Sequence, residues 1–132
     1  MVKATSIFQQ NARFASEQHA GAVCVFAGAT SGIGASTLER MVSLLHDPTI
    51  YVLGRSAQRF SSQRSNLESL NPRCRIHFLE CEFALLAHVD AVSRRVTDAE
   101  QKVDYLYMSP GLIPLNGPQC SITSTFPYTK AH

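Results

Sequence analysis

The residues best spaced for chemistry form one turn, Gly28-Ala-Thr-Ser-Gly32-Ile-Gly34, between an apolar run and a helix-like segment. The pattern is G-x-x-x-G-x-G, and each glycine has its own physical use. Gly28 permits a sharp exit from a strand, where a side chain would collide with backbone. Gly32 lets the main chain approach a pyrophosphate, whose charge is favoured by unpaired N–H groups and the helix dipole. Gly34 lets the start of the helix pack closely. Thr30 and Ser31 add hydroxyl donors beside the phosphates. Any strand-to-helix turn can carry glycines, but three in seven residues at this junction point to phosphate binding. The other reactive side chains show no comparable arrangement. Cys24, Cys74, Cys81 and Cys120 form no C-x-x-C pair and read as structural or inert thiols. His19, His46, His77, His88 and His132 are scattered, without metal-ligand spacing.

The elements that must hold this turn alternate in type. Ala22–Ala27 is a short apolar run ending at a glycine, as a strand buried on both faces would be. Ile33, Thr37, Leu38, Met41, Val42 and Leu45 then recur at helical spacing, ending before Asp47-Pro48. Thr49–Leu53, closed by Gly54, is a second strand, and Gln58–Asn71 a helix whose buried face is marked by Phe60, Leu67 and Leu70. Cys74–Leu79 alternates towards a third strand after the Asn71-Pro72 turn. Leu85, Leu86, Val89, Val92, Val96 and Ala99 make an amphipathic helix, and Val103–Met108 a fourth strand whose alternation also suits a half-exposed one. This order predicts an α/β fold, the N-terminal part of a doubly wound, Rossmann-like parallel sheet with four strands and flanking helices. In the order 3-2-1-4 the fourth strand is an edge, carrying Tyr105, Leu106 and Tyr107. Ahead of the first strand, Thr5–His19 reads as a helix with Ile7, Phe8 and Phe14 as anchors.

The 132 residues are about one domain's worth, 45% hydrophobic and 17% charged, with a formal charge of +2. That composition excludes a disordered chain. No basic block offers a nucleic-acid footprint. The longest nearly apolar stretch, Ala20–Ala29, is half of the roughly 20 residues a bilayer crossing needs. The first twenty residues lack the apolar core of a signal peptide, so a cytoplasmic protein is expected.

AGATSGIG after VCVF, followed by YVLGRS, resembles the short-chain dehydrogenase/reductase family from about Ala22 to Gly117, with Gly28, Gly32, Ile33 and Gly34 carrying the match. The resemblance is to the fungal members found in secondary-metabolite gene clusters, which similarly open with an N-terminal helix. It implies a glycine turn that binds NAD(P), and an oxidoreductase acting on a small carbonyl or alcohol. Arg55 stands 21 residues after Gly34, where an acidic residue would bind the ribose 2′-OH of NAD. A guanidinium there grips a 2′-phosphate through two parallel hydrogen bonds, so NADP is expected over NAD, with Arg59 assisting. Glu82 falls where the family usually has an adenine-contacting Asp, one methylene longer, and reads equally as a solvated helix-start glutamate. Gly111 closes Met108-Ser-Pro-Gly, where the family has Asn-Asn-Ala-Gly, and would let the backbone pass the cofactor ribose.

The family's catalytic pair is a Tyr with a Lys four residues on. Four residues after Tyr51, Tyr105, Tyr107 and Tyr128 stand Arg55, Ser109, Gly111 and His132, so the pair is absent and no catalytic residue is assigned. The expected organisation is a helical extension over 1–21, a truncated NAD(P)-binding domain over 22–117, and an irregular tail over 118–132. The expected function is that of an NADP-preferring family member cut before its catalytic half. Two alternatives stand beside it: a non-catalytic nucleotide-binding or interaction remnant, and an unstable truncated product.

Overall fold

The apolar run ahead of the glycine turn is the middle of a sheet. A computed structural model describes residues 1–17 and 20–111. Its elements are α1 Ala4–Ser16, β1 Val23–Ala27, α2 Gly32–Leu44, β2 Thr49–Gly54, α3 Ala57–Leu70, β3 Arg75–Glu80, α4 Leu86–Ala99 and β4 Tyr105–Met108. The strands form one parallel sheet in the order β3-β2-β1-β4, as the alternation predicts. Val25 of β1 stands opposite Tyr51 of β2 on one side and Leu106 of β4 on the other. Every residue of β1 and β2 is buried. The period of two divides them between two faces. On one face Cys24, Phe26, Ile50 and Val52 meet Leu38 and Val42 of α2 and Phe60 and Leu67 of α3. On the other, Val25, Ala27, Tyr51 and Leu53 meet Val92 and Val96 of α4.

The ends are held by polar contacts. Asn71 Nδ2 donates to the Val42 and Leu45 carbonyls at 3.0 and 2.9 Å, satisfying acceptors left free where α2 stops. Asp104 clamps β4 to β1. Its N–H donates to the Val23 carbonyl at 2.8 Å, and its Oδ2 accepts the Val23 N–H at 2.8 Å. Lys102 Nζ lies 3.0 Å from Oδ1. The Val23 N–H and then Lys102 hold the Asp104 carboxyl below its ordinary range.

The helical stripes read from the sequence are too long at their ends. Ile33, Leu70, Leu86 and Ala99 were expected on buried faces and are exposed. Each lies in a terminal turn of its helix. Of the expected anchors of α1, Phe14 packs against the core whereas Ile7 and Phe8 are exposed. The outer strand β4 is the edge expected, with Leu106 63% exposed and only Tyr107 half-buried, its ring 5.7 Å from Phe26. The expected boundary at 117 and the tail over 118–132 lie outside the described residues, as do His19, Cys120 and His132.

Two outcomes follow from this packing. Leu38→Ala, at a side chain with no exposed surface, should cost about 2–5 kcal/mol in urea unfolding. Asp104 has a lowered carboxyl pKa in the folded chain, so its ionic contribution is present above about pH 4 and is lost as pH falls through that lowered value. Wild type should therefore lose more stability than Asp104→Asn between pH 6 and pH 3, read from urea midpoints.

Candidate functional site

Backbone conformation explains the glycine spacing. Gly28 and Gly32 have φ of +80° and +60°, in the left-handed region that glycine adopts freely. A Cβ on Gly28 would run into the Ser109 carbonyl and lie 2.7 Å from the Pro110 nitrogen, so the end of β4 passes directly over the turn. A Cβ on Gly34 would strike the Gly28 carbonyl and lie 2.9 Å from Ala29 Cα. The close packing expected of Gly34 is thus onto the turn's own backbone. A Cβ on Gly32 would meet nothing within 4 Å, which leaves its outer side open.

The turn ends at the start of α2, whose first helical hydrogen bond runs from Ala35 N–H to the Ser31 carbonyl. Among the described residues the five preceding N–H groups, from Thr30 to Gly34, have no acceptor. Ser31 stands at the N-cap without a side-chain bond to the helix, and the first turn carries no acidic residue. The start of α3 differs, since Ser56 accepts the Arg59 N–H at 3.3 Å.

These groups open onto a cleft of about 1150 Å³ along the carboxyl ends of the strands. Gly28, Thr30, Ser31, Ile33 and Gly34 line it from the turn, Arg55 from the end of β2, Glu82 from beyond β3 and Gly111 from beyond β4. Gly32 lies within the same turn. Exposure of Ile33 thus has a structural meaning, for its side chain faces the cleft and not the core. Arg55 is exposed and its guanidinium has no hydrogen bond or ion pair among the described residues. Glu82 Oε1 accepts the Ala84 N–H at 3.5 Å, so the local turn competes for that oxygen. Ser109 lines the cleft and its Oγ donates to the Tyr107 hydroxyl at 3.2 Å, whereas Met108 faces another groove.

That groove, about 310 Å³ between α4 and β4, is lined mostly by apolar side chains such as Val92, Val96 and Leu106, with Ser93 and Thr97, and holds no ionisable group. The described thiols are inert. Burial first, then Asp104, pushes Cys24 up to about 11, and burial raises Cys74 and Cys81 as well. Among the described residues no His, Cys, Asp and Glu cluster could hold a metal, and no helix is long and apolar enough to cross a membrane.

Two residues escaped the sequence reading. Gln63 Nε2 donates to the Ala29 carbonyl at 3.0 Å and braces the turn from α3. Tyr107 brings a hydroxyl to the cleft. The only signal for Gln63 was a polar residue on the stripe between Phe60 and Leu67.

No family model matches the chain. Solved structures share its fold. An L-sorbose reductase from Gluconobacter frateurii, solved with NADPH and L-sorbose, superposes with a TM-score of 0.62 at 24% identity, over 72% of this chain and 35% of that one. A metagenomic short-chain oxidoreductase in complex with NADP gives a TM-score of 0.65 at 21% identity, over 75% and 43%. The four-stranded parallel sheet with its flanking helices is therefore the Rossmann-like fold of the short-chain dehydrogenase/reductases. Sequence relatives agree, and they are fungal oxidoreductases. Oxidoreductase AN1596 of Emericella nidulans is 40% identical over 93 residues, 70% of this chain and 28% of the relative. Oxidoreductase lepF of Aspergillus flavus is 35% identical over 96 residues, 73% and 27%. The chain thus has the fold of the short-chain dehydrogenase/reductases and sequence similarity to fungal oxidoreductases, and it spans less than a third of the length of these two relatives.

The glycine contacts rank the substitutions. Gly32→Ala meets no atom and should cost only its backbone strain, about 1 kcal/mol. Gly34→Ala must displace backbone and should cost clearly more in urea unfolding.

Proposed function

We propose that this chain binds a nicotinamide dinucleotide in the cleft, with NADP preferred over NAD, as the cofactor-binding part of a fungal oxidoreductase. The observation that carries the reading is the run of five unpaired N–H groups from Thr30 to Gly34 at the start of a helix. Such a run favours an anion through both hydrogen bonds and the helix dipole. The residues present fit the phosphate half of the cofactor. The turn would hold the pyrophosphate, with Thr30 and Ser31 hydroxyls at its sides, and Ile33 would close the cleft beside it. The unpartnered Arg55 would grip the 2′-phosphate, Glu82 would meet the adenine amino group, and Gly111 would let the backbone pass the ribose. The cofactor-bound neighbours support the dinucleotide, the sorbose reductase having been solved with NADPH and the metagenomic oxidoreductase with NADP.

Bound cofactor supplies a hydride; the proton for a developing alkoxide must come from a positioned acid. No tyrosine of this sequence has a lysine four residues on. The proposed role of these residues is therefore cofactor binding, and reduction of a small carbonyl substrate belongs to a whole protein that supplies the acid. The same absence favours a second reading, a nucleotide-binding remnant without turnover. The fungal relatives support placing the whole protein in a fungal biosynthetic pathway. No nucleic-acid partner enters the proposal.

The test is a titration with NADPH and NADH followed by nicotinamide fluorescence. Gly32→Asp puts a carboxylate where the pyrophosphate approaches and should abolish binding of both. Arg55→Asp should lower the preference for NADPH over NADH roughly 10- to 100-fold, the range of one charge-assisted contact. Undiminished affinity in Gly32→Asp would remove the turn from the site. An unchanged ratio in Arg55→Asp would remove the selectivity. Substrate-independent background oxidation of NADPH over a panel of carbonyl compounds is the expected result for the 132-residue chain alone.

A further inference from the structure

We propose that Gln63 is a positioning residue for the phosphate cradle: by holding the Ala29 carbonyl it aims the Thr30 N–H away from α3, towards the cleft. The inference rests on the cofactor reading above and deepens it. Gln63 Nε2 donates to the Ala29 oxygen at 3.0 Å, from a position 34 residues along the chain. Ala29 is fully buried, and the described peptide bonds are all trans. In a trans peptide the C=O and N–H point in opposite directions. A hydrogen bond that pins the Ala29 carbonyl therefore pins the Thr30 N–H on the opposite side. That N–H is the first of the five without an acceptor, and Thr30 lines the cleft.

The brace is itself held rigidly. Phe60 and Leu67, three residues before and four after Gln63, are both buried, so α3 cannot roll about its axis. Asn66 Nδ2 donates to Glu39 Oε1 at 3.1 Å, tying α3 to α2. Among the described residues no other side chain hydrogen-bonds the backbone of residues 28–32. Left-handed conformations at Gly28 and Gly32 make this stretch one that backbone torsions alone would not hold, because glycine reaches many others. Gln63 supplies the missing constraint, and its effect should fall on the ligand group that the turn binds.

The readout separates that role from simple satisfaction of a buried carbonyl. Gln63→Met keeps the length and removes the donor; Gln63→Glu keeps the shape and sets an acceptor against the carbonyl. Both residues are good helix formers, so α3 should persist. Dissociation constants are measured for NADPH and for adenosine 2′-phosphate, which carries the adenine and 2′-phosphate without a pyrophosphate, alongside thermal melting. Both variants should weaken NADPH roughly tenfold, the order of one lost hydrogen bond, and leave adenosine 2′-phosphate nearly unchanged. Equal weakening of both ligands, or a lower melting temperature with an unchanged ratio of the two constants, would show a structural brace only and overturn the proposal. Wild-type binding that neither variant alters would overturn it too, while leaving the cofactor reading intact. A wild-type chain that binds neither ligand removes the cofactor reading and this inference together.

Discussion

The cleft side of the molecule depends on one backbone passing another at Gly28. The β1–β4 ladder runs to its last residues, with Ser109 N–H donating to the Ala27 carbonyl at 2.9 Å. Immediately beyond, the Ser109 carbonyl and Pro110 occupy the space that a Cβ on residue 28 would need. The chain leaving β1 is hemmed in by β4 on one side and by β2 on the other. It turns up through a left-handed conformation and enters α2 at once. Gly34 repeats the constraint one turn later, with the helix seated on the Gly28 carbonyl. Two backbone approaches that exclude any side chain therefore seat both ends of the turn against the sheet, Gln63 fixes the peptide between them, and the N–H groups are left without an internal acceptor. Their lack of partners is a consequence of the packing.

Electrostatics in the cleft follow from what the surrounding elements omit. The first turn of α2 carries no carboxylate, and Ser31 does not bend back to cap it. Arg55, at the far wall, is unopposed among the described residues. Glu82, the nearest acid, shares its oxygen with the Ala84 N–H. A concave site with free donors and an unpaired cation attracts anions. The groove between α4 and β4 shows the contrast, since its mostly apolar walls carry no ionisable group. Burial raises the described thiols, Cys24, Cys74 and Cys81, so they stay protonated at neutral pH.

Where sequence and structure part, the helix termini are responsible. Periodicity identifies a face of a helix but not how far the sheet beneath it extends. Leu38 and Val42 of α2, Leu67 of α3 and Val92 of α4 pack on the sheet and are buried, whereas Leu70 and Leu86, in the terminal turns of α3 and α4, continue those helices' stripes and are exposed. Ile33 follows the stripe by spacing and leaves it by position, because the first turn of α2 rises above the strand ends. Phe8 fails as an anchor for a related reason, since α1 reaches the core only near its end, at Phe14.

By itself the sequence determined the element order, the parallel sheet and the glycine turn that we propose holds the phosphates. Those properties are written in short-range signals: a buried run, a glycine spacing and helical periodicity. The absence of a Tyr-x-x-x-Lys pair is equally a matter of reading residues. Tertiary structure alone decided which distant groups meet the turn. Arg55, Glu82 and Gly111 come to one cleft because parallel strands all end on the same side of the sheet. Ser109 lies over Gly28, and Gln63 reaches Ala29, through contacts spanning 81 and 34 residues that no local pattern encodes. A parallel sheet joins its strands through crossovers, so the residues that shape its site are far apart in the chain and become neighbours only when the layers close.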